Sequence, residues 1–277
     1  MTLGAGIGLR AAHYESVLAQ RPPVGWLEVH AENYFGEGGP HWHFLESVRR
    51  YYPVSVHGVG LSLGSTDELS AAHLQRVKAV VKRLEPVFVS EHLSWSSVGG
   101  RHLNQFLPLP YTEETLRHVA ARVARVQEAL GRELLVENPS RYLDFKHSTI
   151  SEPEFMGELA RLSGCRLLID VTNVYISATN LGWDAERYLE AVPADLIAEV
   201  HLAGFTPRRI EGARVLLDSH DRPVPATVWR LYRRLVERIG PVPTLIEWDA
   251  HLPPLGELVQ EAARAEAILE RSLALPA

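Results

Sequence analysis

A (β/α)₈ barrel is the fold class this sequence predicts. Eight short apolar runs alternate with longer amphipathic stretches along 277 residues. Each run-plus-stretch unit is about 35 residues, and eight such units match the ~250 residues typical of a barrel. Residues 1–277 are therefore expected to form a single barrel domain.

The apolar runs are Ala5–Leu9, Gly25–Val29, Pro53–Val56, Val87–Ser90, Glu133–Val136, Arg166–Ile169, Leu196–Val200 and Val242–Ile246. They are rich in Val, Ile and Leu without clean alternation, the pattern of parallel strands covered on both faces. Helices are expected at Ala11–Gln20 and Trp42–Tyr51 in the first two gaps. A capping box, Ser65 with Glu68, stands ahead of Leu69–Leu84, and Pro86 stops that stretch. Thr112 caps Glu113–Leu130, with Gly131 at its end. Ser151 with Glu154 forms another box, with Pro153 in the first turn and Gly164 at the close. Asp184 opens a short helix to Ala191, Pro225 precedes Ala226–Ile239, and Leu258–Leu273 is the last. An open doubly wound sheet would need a Gly-rich phosphate loop between strand and helix. Gly4, Gly6 and Gly8 lie within the first strand instead and read as small residues at a crowded position.

Composition narrows the function. Twenty-eight basic and 34 acidic residues give a net charge of −6, which argues against nucleic acid or anionic lipid as partner. A single cysteine, Cys165, leaves no internal disulfide and no sulfur-only metal site. The N-terminal residues lack the n- and h-regions of a signal peptide, and no apolar run reaches the ~18–20 residues of a membrane span. A cytoplasmic location is the expectation.

Barrel chemistry sits at the C-terminal ends of strands, and those positions carry an unusual set. In order they read Glu28 and His30 with Glu32 and Asn33, then His57, Glu91 with His92, Glu137 with Asn138, Asp170 with Asn173, Glu199 with His201, and Glu247 with Asp249. Asp218 and His220 follow Val215–Leu217 in the connection after the seventh run. Any one of these histidines alone reads as a hydrogen-bonded core residue. Converging three to five carboxylates in one barrel mouth would cost several kcal/mol in desolvation and repulsion, a cost a bound cation removes. Imidazoles and carboxylates without thiolate suit Fe, Mn, Co or Zn. The number of donors allows more than one ion, with Glu137 or Asp170 as a bridge. His13, His43, His73, His118 and His147 lie away from strand ends and read as solvated or capping side chains.

The strings His57-Gly58-Val59-Gly60-Leu61-Ser62-Leu63-Gly64, Ser90-Glu91-His92-Leu93-Ser94-Trp95 and Glu137-Asn138-Pro139-Ser140 resemble those of the multinuclear non-haem iron-dependent oxidative enzymes. That methanobactin-biosynthesis-oxidase-like family was first catalogued as domain of unknown function 692. Asp170-Val171-Thr172-Asn173-Val174-Tyr175, His201-Leu202-Ala203-Gly204, Asp218-Ser219-His220-Asp221-Arg222 and Ile246-Glu247-Trp248-Asp249 continue the match from about Gly6 to Asp249.

The resemblance implies a barrel holding two or three irons in mixed ferrous and ferric states. Dioxygen would be the co-substrate, used to oxidise cysteines of ribosomally made precursor peptides. Carried over by position, His57, His92, Glu137, Asp170, His201 and Glu247 would bind the two principal irons. Asn173, Asp218 and His220 would serve a third iron or support the others. This chain departs from many relatives at Thr172, at Asn180-Leu181-Gly182 and at Asn173, where some members carry histidine. Glu32, Asn33, Trp95 and Tyr175 are expected to touch substrate, with Trp95, Tyr175 and Trp248 as walls. The eight units leave no segment to grip a leader peptide, so a separate peptide-recognition protein is the expected partner. A divalent-metal sugar isomerase or epimerase, a barrel phosphodiesterase and a non-catalytic metal-binding subunit of a peptide-modifying complex are the competing readings.

Overall fold

The computed structural model describes residues 3–273. Eight parallel strands close into a barrel: β1 (Ala5–Gly8), β2 (Trp26–His30), β3 (Val54–Gly58), β4 (Val89–His92), β7 (Leu135–Glu137), β8 (Arg166–Asp170), β9 (Ile197–Ala203) and β12 (Thr244–Glu247). Every expected apolar run contributes one of them. Closure joins β1 to both β2 and β12, so the sheet has no free edge. Helices α1 (Tyr14–Gln20), α2 (Pro40–Arg49), α3 (Ala71–Leu84), α4 (Glu113–Leu130), α5 (Glu152–Ser163), α6 (Val171–Leu181), α7 (Ala185–Ala191), α8 (Ala226–Ile239) and α9 (Leu255–Leu273) complete the units. No described helix is long and apolar enough to cross a membrane.

Local chemistry sets most helix ends. Thr112 accepts from the Thr115 amide at 3.2 Å and starts α4. Gly131 ends it in the left-handed region at φ +68°, where a side chain would be strained. The Ser65–Glu68 box is not used. Ser70 caps α3 by accepting from the His73 amide, while Ser65 closes the preceding turn at Asp67 and donates to the Ser97 carbonyl at 2.6 Å. A hydroxyl with a long-range partner leaves the local cap to the next serine. Ser151 precedes α5, but its hydroxyl faces Glu154 at 3.5 Å instead of a backbone amide.

Three elements escape the sequence reading. Helix α6 begins directly at the end of β8, because Asp170 Oδ1 accepts from the Asn173 amide at 2.8 Å. The residue that ends the strand thus also caps the helix. The others are antiparallel hairpins projecting from the strand ends. One pairs β5 (Trp95–Val98) with β6 (Arg101–Leu107) through Gly99-Gly100, and the second pairs β10 (Phe205–Ile210) with β11 (Ala213–Asp218) through Glu211-Gly212. Both turn residues have positive φ in each case, the geometry of a tight two-residue hairpin.

Two histidines taken as solvated or capping are structural struts. His13 is buried with Nε2 2.8 Å from the Pro253 carbonyl, and His118 Nε2 lies 2.8 Å from the Ser65 carbonyl. The glycines of β1 behave as expected: a Cβ at Gly6 would meet the buried Trp26 indole at 2.6 Å. Gly6→Ala is therefore expected to destabilise the protein by about 1–3 kcal/mol through overpacking. A urea titration checks it, reading a lower midpoint at unchanged m-value.

Candidate metal centre

The parallel register brings the polar strand ends level. His57 pairs with His30 on one side and Ser90 on the other, His92 with Glu137, and Asp170 with His201. Because alternate residues of a strand face opposite sides, these positions deliver imidazoles and carboxylates into one mouth. Three overlapping groups result: His57, His92 and Glu137; Glu137, Asp170 and His201; and Asp170, His220 and Glu247. Within each, the candidate donor atoms lie within 4.8 Å of one another. Glu137 and Asp170 each belong to two groups, the position a bridging carboxylate requires.

The contacts inside the cluster are those of atoms aimed at a common point. His57 Nε2 and His92 Nε2 are both 3.4 Å from Glu137 Oε2. His201 Nδ1 and His220 Nδ1 lie 3.3 and 3.5 Å from Glu247 Oε2. His220 Nε2 sits 2.7 Å from Asp218 Oδ1, yet neither atom has a partner in hydrogen-bonding geometry. Glu137 Oε2, Asp170 Oδ2, Asn173 Oδ1 and His201 Nδ1 are also buried without a hydrogen-bond partner. Native proteins seldom leave so many buried polar atoms orphaned in one place. The donor set, nitrogen and oxygen without sulfur, fits a borderline metal such as iron.

Supporting residues fix how the donors point. Ser90 Oγ lies 2.7 Å from His57 Nδ1, leaving Nε2 turned to Glu137. His201 Nε2 faces Glu199 Oε1 at 3.0 Å and Glu28 Oε1 at 3.6 Å, leaving Nδ1 turned to Glu247. Ser55 donates to Glu28 at 2.7 Å. These are the carboxylate–histidine and hydroxyl–histidine arrangements that orient metal ligands.

Electrostatics describe the same crowding. Burial pushes Glu137 up to about 8, Asp170 up to about 7 and Glu199 up to about 7. Burial, aided by the neighbouring His92, holds His57 well below the ordinary imidazole value. At His92 burial acts downward, but Glu137 and Glu91 outweigh it and raise the ring to about 9. Burial and the crowding of like charges raise the three carboxyls, while the acids around His92 favour its charged form.

A neighbouring triplet, His30, Glu247 and Asp249, carries a cation of its own. Arg10 is buried, and its Nε donates to Asp249 at 2.7 Å, with an Nη 3.1 Å from His30 Nε2. Burial opposes the ionised form of Asp249, yet the guanidinium prevails and holds it near 2.

The mouth encloses a cavity of about 270 Å³ that includes His57, His92, Glu137, Asn173, His220 and Glu247. Asp218 lies in the same wall, while Asp170 and His201 lie beneath it, both wholly buried. Phe106 from β6 stacks on the His92 ring at 3.7 Å between centroids and 13°. Asn104 and Gln105 complete that side, and Ser140 and Tyr142 stand opposite.

Five further candidates lie outside this cavity. Glu32 accepts from the Val59 amide at 3.2 Å and meets His73 Nε2 at 2.9 Å, bracing the loop after β3. Asn33 is exposed. Trp95 donates to the Pro108 carbonyl at 3.0 Å, and Tyr175 packs on Phe205 at 5.5 Å. Trp248 is buried in the core. Sequence reasoning registered Glu28, His30, Glu199 and Asp249 as strand-end residues without giving them a place in the site. It quoted Ser90 only as part of the string that ends the fourth strand, and passed over Arg10, Phe106 and Tyr142. Arg10 directly follows the first apolar run and Ser90 ends the fourth, so position could have found both. Phe106 and Tyr142 carry no local signal.

Residues 4–270 match the family model described as RiPP precursor modification enzyme MbnB/TglH/ChrH. A UPF0276 protein of Anaeromyxobacter sp. is 51% identical, over 98% of this chain and 95% of that protein. A UPF0276 protein of Vibrio parahaemolyticus is 47% identical, over 96% of this chain and 92% of that protein. Among solved structures, L-ribulose 3-epimerase aligns at TM-score 0.64 and 16% identity, covering 99% of this chain and 96% of that one. D-psicose 3-epimerase from Clostridium cellulolyticum H10 aligns at 0.61 and 10% identity, covering 98% of both chains. At such identities the two structures show the shared barrel fold and nothing of the reaction.

Ser90→Ala is expected to leave the fold intact while weakening metal retention about 10–100-fold, since His57 loses the hydroxyl that orients it. Chelator-competition titration with circular dichroism as the folding control checks it.

Proposed function

We propose, on the premise that this chain belongs to the RiPP precursor modification enzyme family MbnB/TglH/ChrH, that it is an iron-dependent oxidase acting on cysteine residues of a ribosomally made precursor peptide. The observation that supports the metal is the set of orphaned, wholly buried donor atoms converging from five elements of the chain. Two or three iron ions, held by His57, His92, Glu137, Asp170, His201 and Glu247 with Asn173, Asp218 and His220 alongside, satisfy those atoms and neutralise the carboxylates. Bound iron would activate dioxygen by relaying electrons to it from the substrate, chemistry for which proteins rely on cofactors.

The remaining work falls to the chain's own residues. Ser90 and Glu199 hold His57 and His201 in fixed ring orientations. Phe106 covers His92 and keeps water from that face of the site. Arg10 pairs with Asp249 and also lies 3.7 Å from Glu247 Oε1, neutralising part of the carboxylate charge at that edge of the cluster. Asp218 and His220 stand at the mouth, 2.7 Å apart, and would complete the metal set on the side from which substrate enters. The cavity's modest volume suits one side chain of a peptide, and the two hairpins flank its entrance. A separate peptide-recognition protein and a cytoplasmic location belong to the same reading.

Protein purified without air after growth with labelled iron is expected to carry two or three irons per chain in a spin-coupled mixed-valent Mössbauer signature. Oxygen uptake is expected to depend on a cysteine-bearing peptide. Glu137→Gln, at the shared position of two groups, is expected to lose at least one iron and at least about a hundredfold in peptide-dependent oxygen uptake. Stoichiometric zinc or manganese without iron, or turnover indifferent to dioxygen, would overturn the oxidase and favour a divalent-metal isomerase on this barrel.

A further inference from the structure

The β10–β11 hairpin grows directly out of the site. Its first strand leaves β9, which carries His201, with Gly204 alone between them. Its second strand ends at Asp218, whose carboxylate faces His220. At the root the hairpin is pinned: Asn180 bonds both backbone groups of Leu216, and the Tyr142 hydroxyl accepts from the Asp218 amide at 2.9 Å. The outer half is exposed from Pro207 to Arg214.

The antiparallel register sets Arg209 directly opposite Arg214. Facing residues of a pair share one side of the sheet, so the two guanidiniums stand together, and like charges in that position destabilise a hairpin. Neither has a carboxylate within ion-pair distance among the described residues, nor has Arg208 beside them. Arg101 and His102 occupy exposed positions on the β5–β6 hairpin, outside any ion pair among the described residues. A chain of net charge −6 thus carries arginines without an ion-pair partner on two hairpins whose roots, at Phe106 and Asp218, line the cavity. Pro207 on β10 removes a backbone donor and discourages strand addition there, which leaves side-chain charge as the recognition element.

We infer that Arg209 and Arg214 recognise an acidic side chain of the substrate peptide, about four residues from the residue that enters the cavity. The spacing comes from the hairpin: Arg214 lies four residues along β11 from Asp218, about 13 Å at 3.3 Å per residue, the reach of an equal length of extended peptide. This inference rests on the peptide-modifying reading and assigns the charge of its substrate.

The test uses a fluorescein-labelled peptide with a central cysteine and glutamates about four residues to either side. Its glutamine twin, a lysine twin and an oligothymidylate of matching charge are the comparisons, with anisotropy read at low salt. Exposed ion pairs are worth up to about fivefold each, so Arg209→Gln/Arg214→Gln is expected to weaken the glutamate peptide about tenfold. Binding of the glutamine twin and the iron content are expected to stay the same. Arg209→Glu/Arg214→Glu is expected to shift preference to the lysine twin. Equal binding of the glutamate and glutamine peptides by the unaltered protein, or no effect of the double variant, would overturn the inference. Oligothymidylate binding as tightly, with the same arginine dependence, would overturn it as an unspecific anion surface. Failure of the iron reading is seen separately, as absence of iron from the unaltered protein while the arginine dependence of binding persists.

Discussion

Everything at the mouth of this barrel follows from one constraint: carboxylates and imidazoles are held out of water closer together than their charges allow. Glu28, Glu137, Asp170, Glu199 and Glu247 are all within the buried set. Desolvation opposes the ionised forms of Glu137, Asp170, Glu199 and Glu247. The protein offsets part of that cost with its own cation where Arg10 meets Asp249. It offsets another part with histidines held between acids, as His201 is between Glu199 and Glu247. What remains is a row of oxygen and nitrogen atoms without hydrogen-bond partners, and a cation is the physical answer to that arrangement. The crowding of these groups is a strain that a bound cation would relieve.

The barrel makes that strain affordable because its geometry is over-determined elsewhere. A closed parallel sheet fixes each strand by hydrogen bonds on both sides, and the apolar layers between sheet and helices hold the register. A slip of one residue in any strand would turn its donor away from the mouth. Capping contributes to the same end. Asp170 holds the first turn of α6 with one oxygen and keeps the other free. Asn173, positioned by that turn, reaches back to within 3.4 Å of Glu137.

Family membership bears on the chemistry, and the shared architecture does not. The two sugar epimerases compared above align at only 10% and 16% identity, while the family match spans residues 4–270. Fold similarity at that level reflects the stability of the barrel, and function resides in the strand-end residues and the loops above them. The two hairpins make the point. They are additions to the plain barrel, and they supply Phe106 over His92 and Asp218 beside His220.

The sequence by itself determined the barrel, because the eight Val/Ile/Leu runs can be buried on both faces only in a parallel sheet covered by helices. It also determined which strand-end residues are chemically able to bind metal, because His57, Glu137 or Glu247 directly ends or follows a run whose direction is readable from local pattern. The start of α6 was hidden because Asp170 serves two elements at once, and Ser65 looked like a cap because its partner, Ser97, is remote in sequence. Only the tertiary structure decided which donor atoms lie together, that Arg10 belongs to Asp249, that Phe106 covers His92 and that Arg209 faces Arg214. Those facts depend on register and on hairpin placement across long sequence separations, and no local periodicity encodes a distance between residues that meet only when the barrel closes.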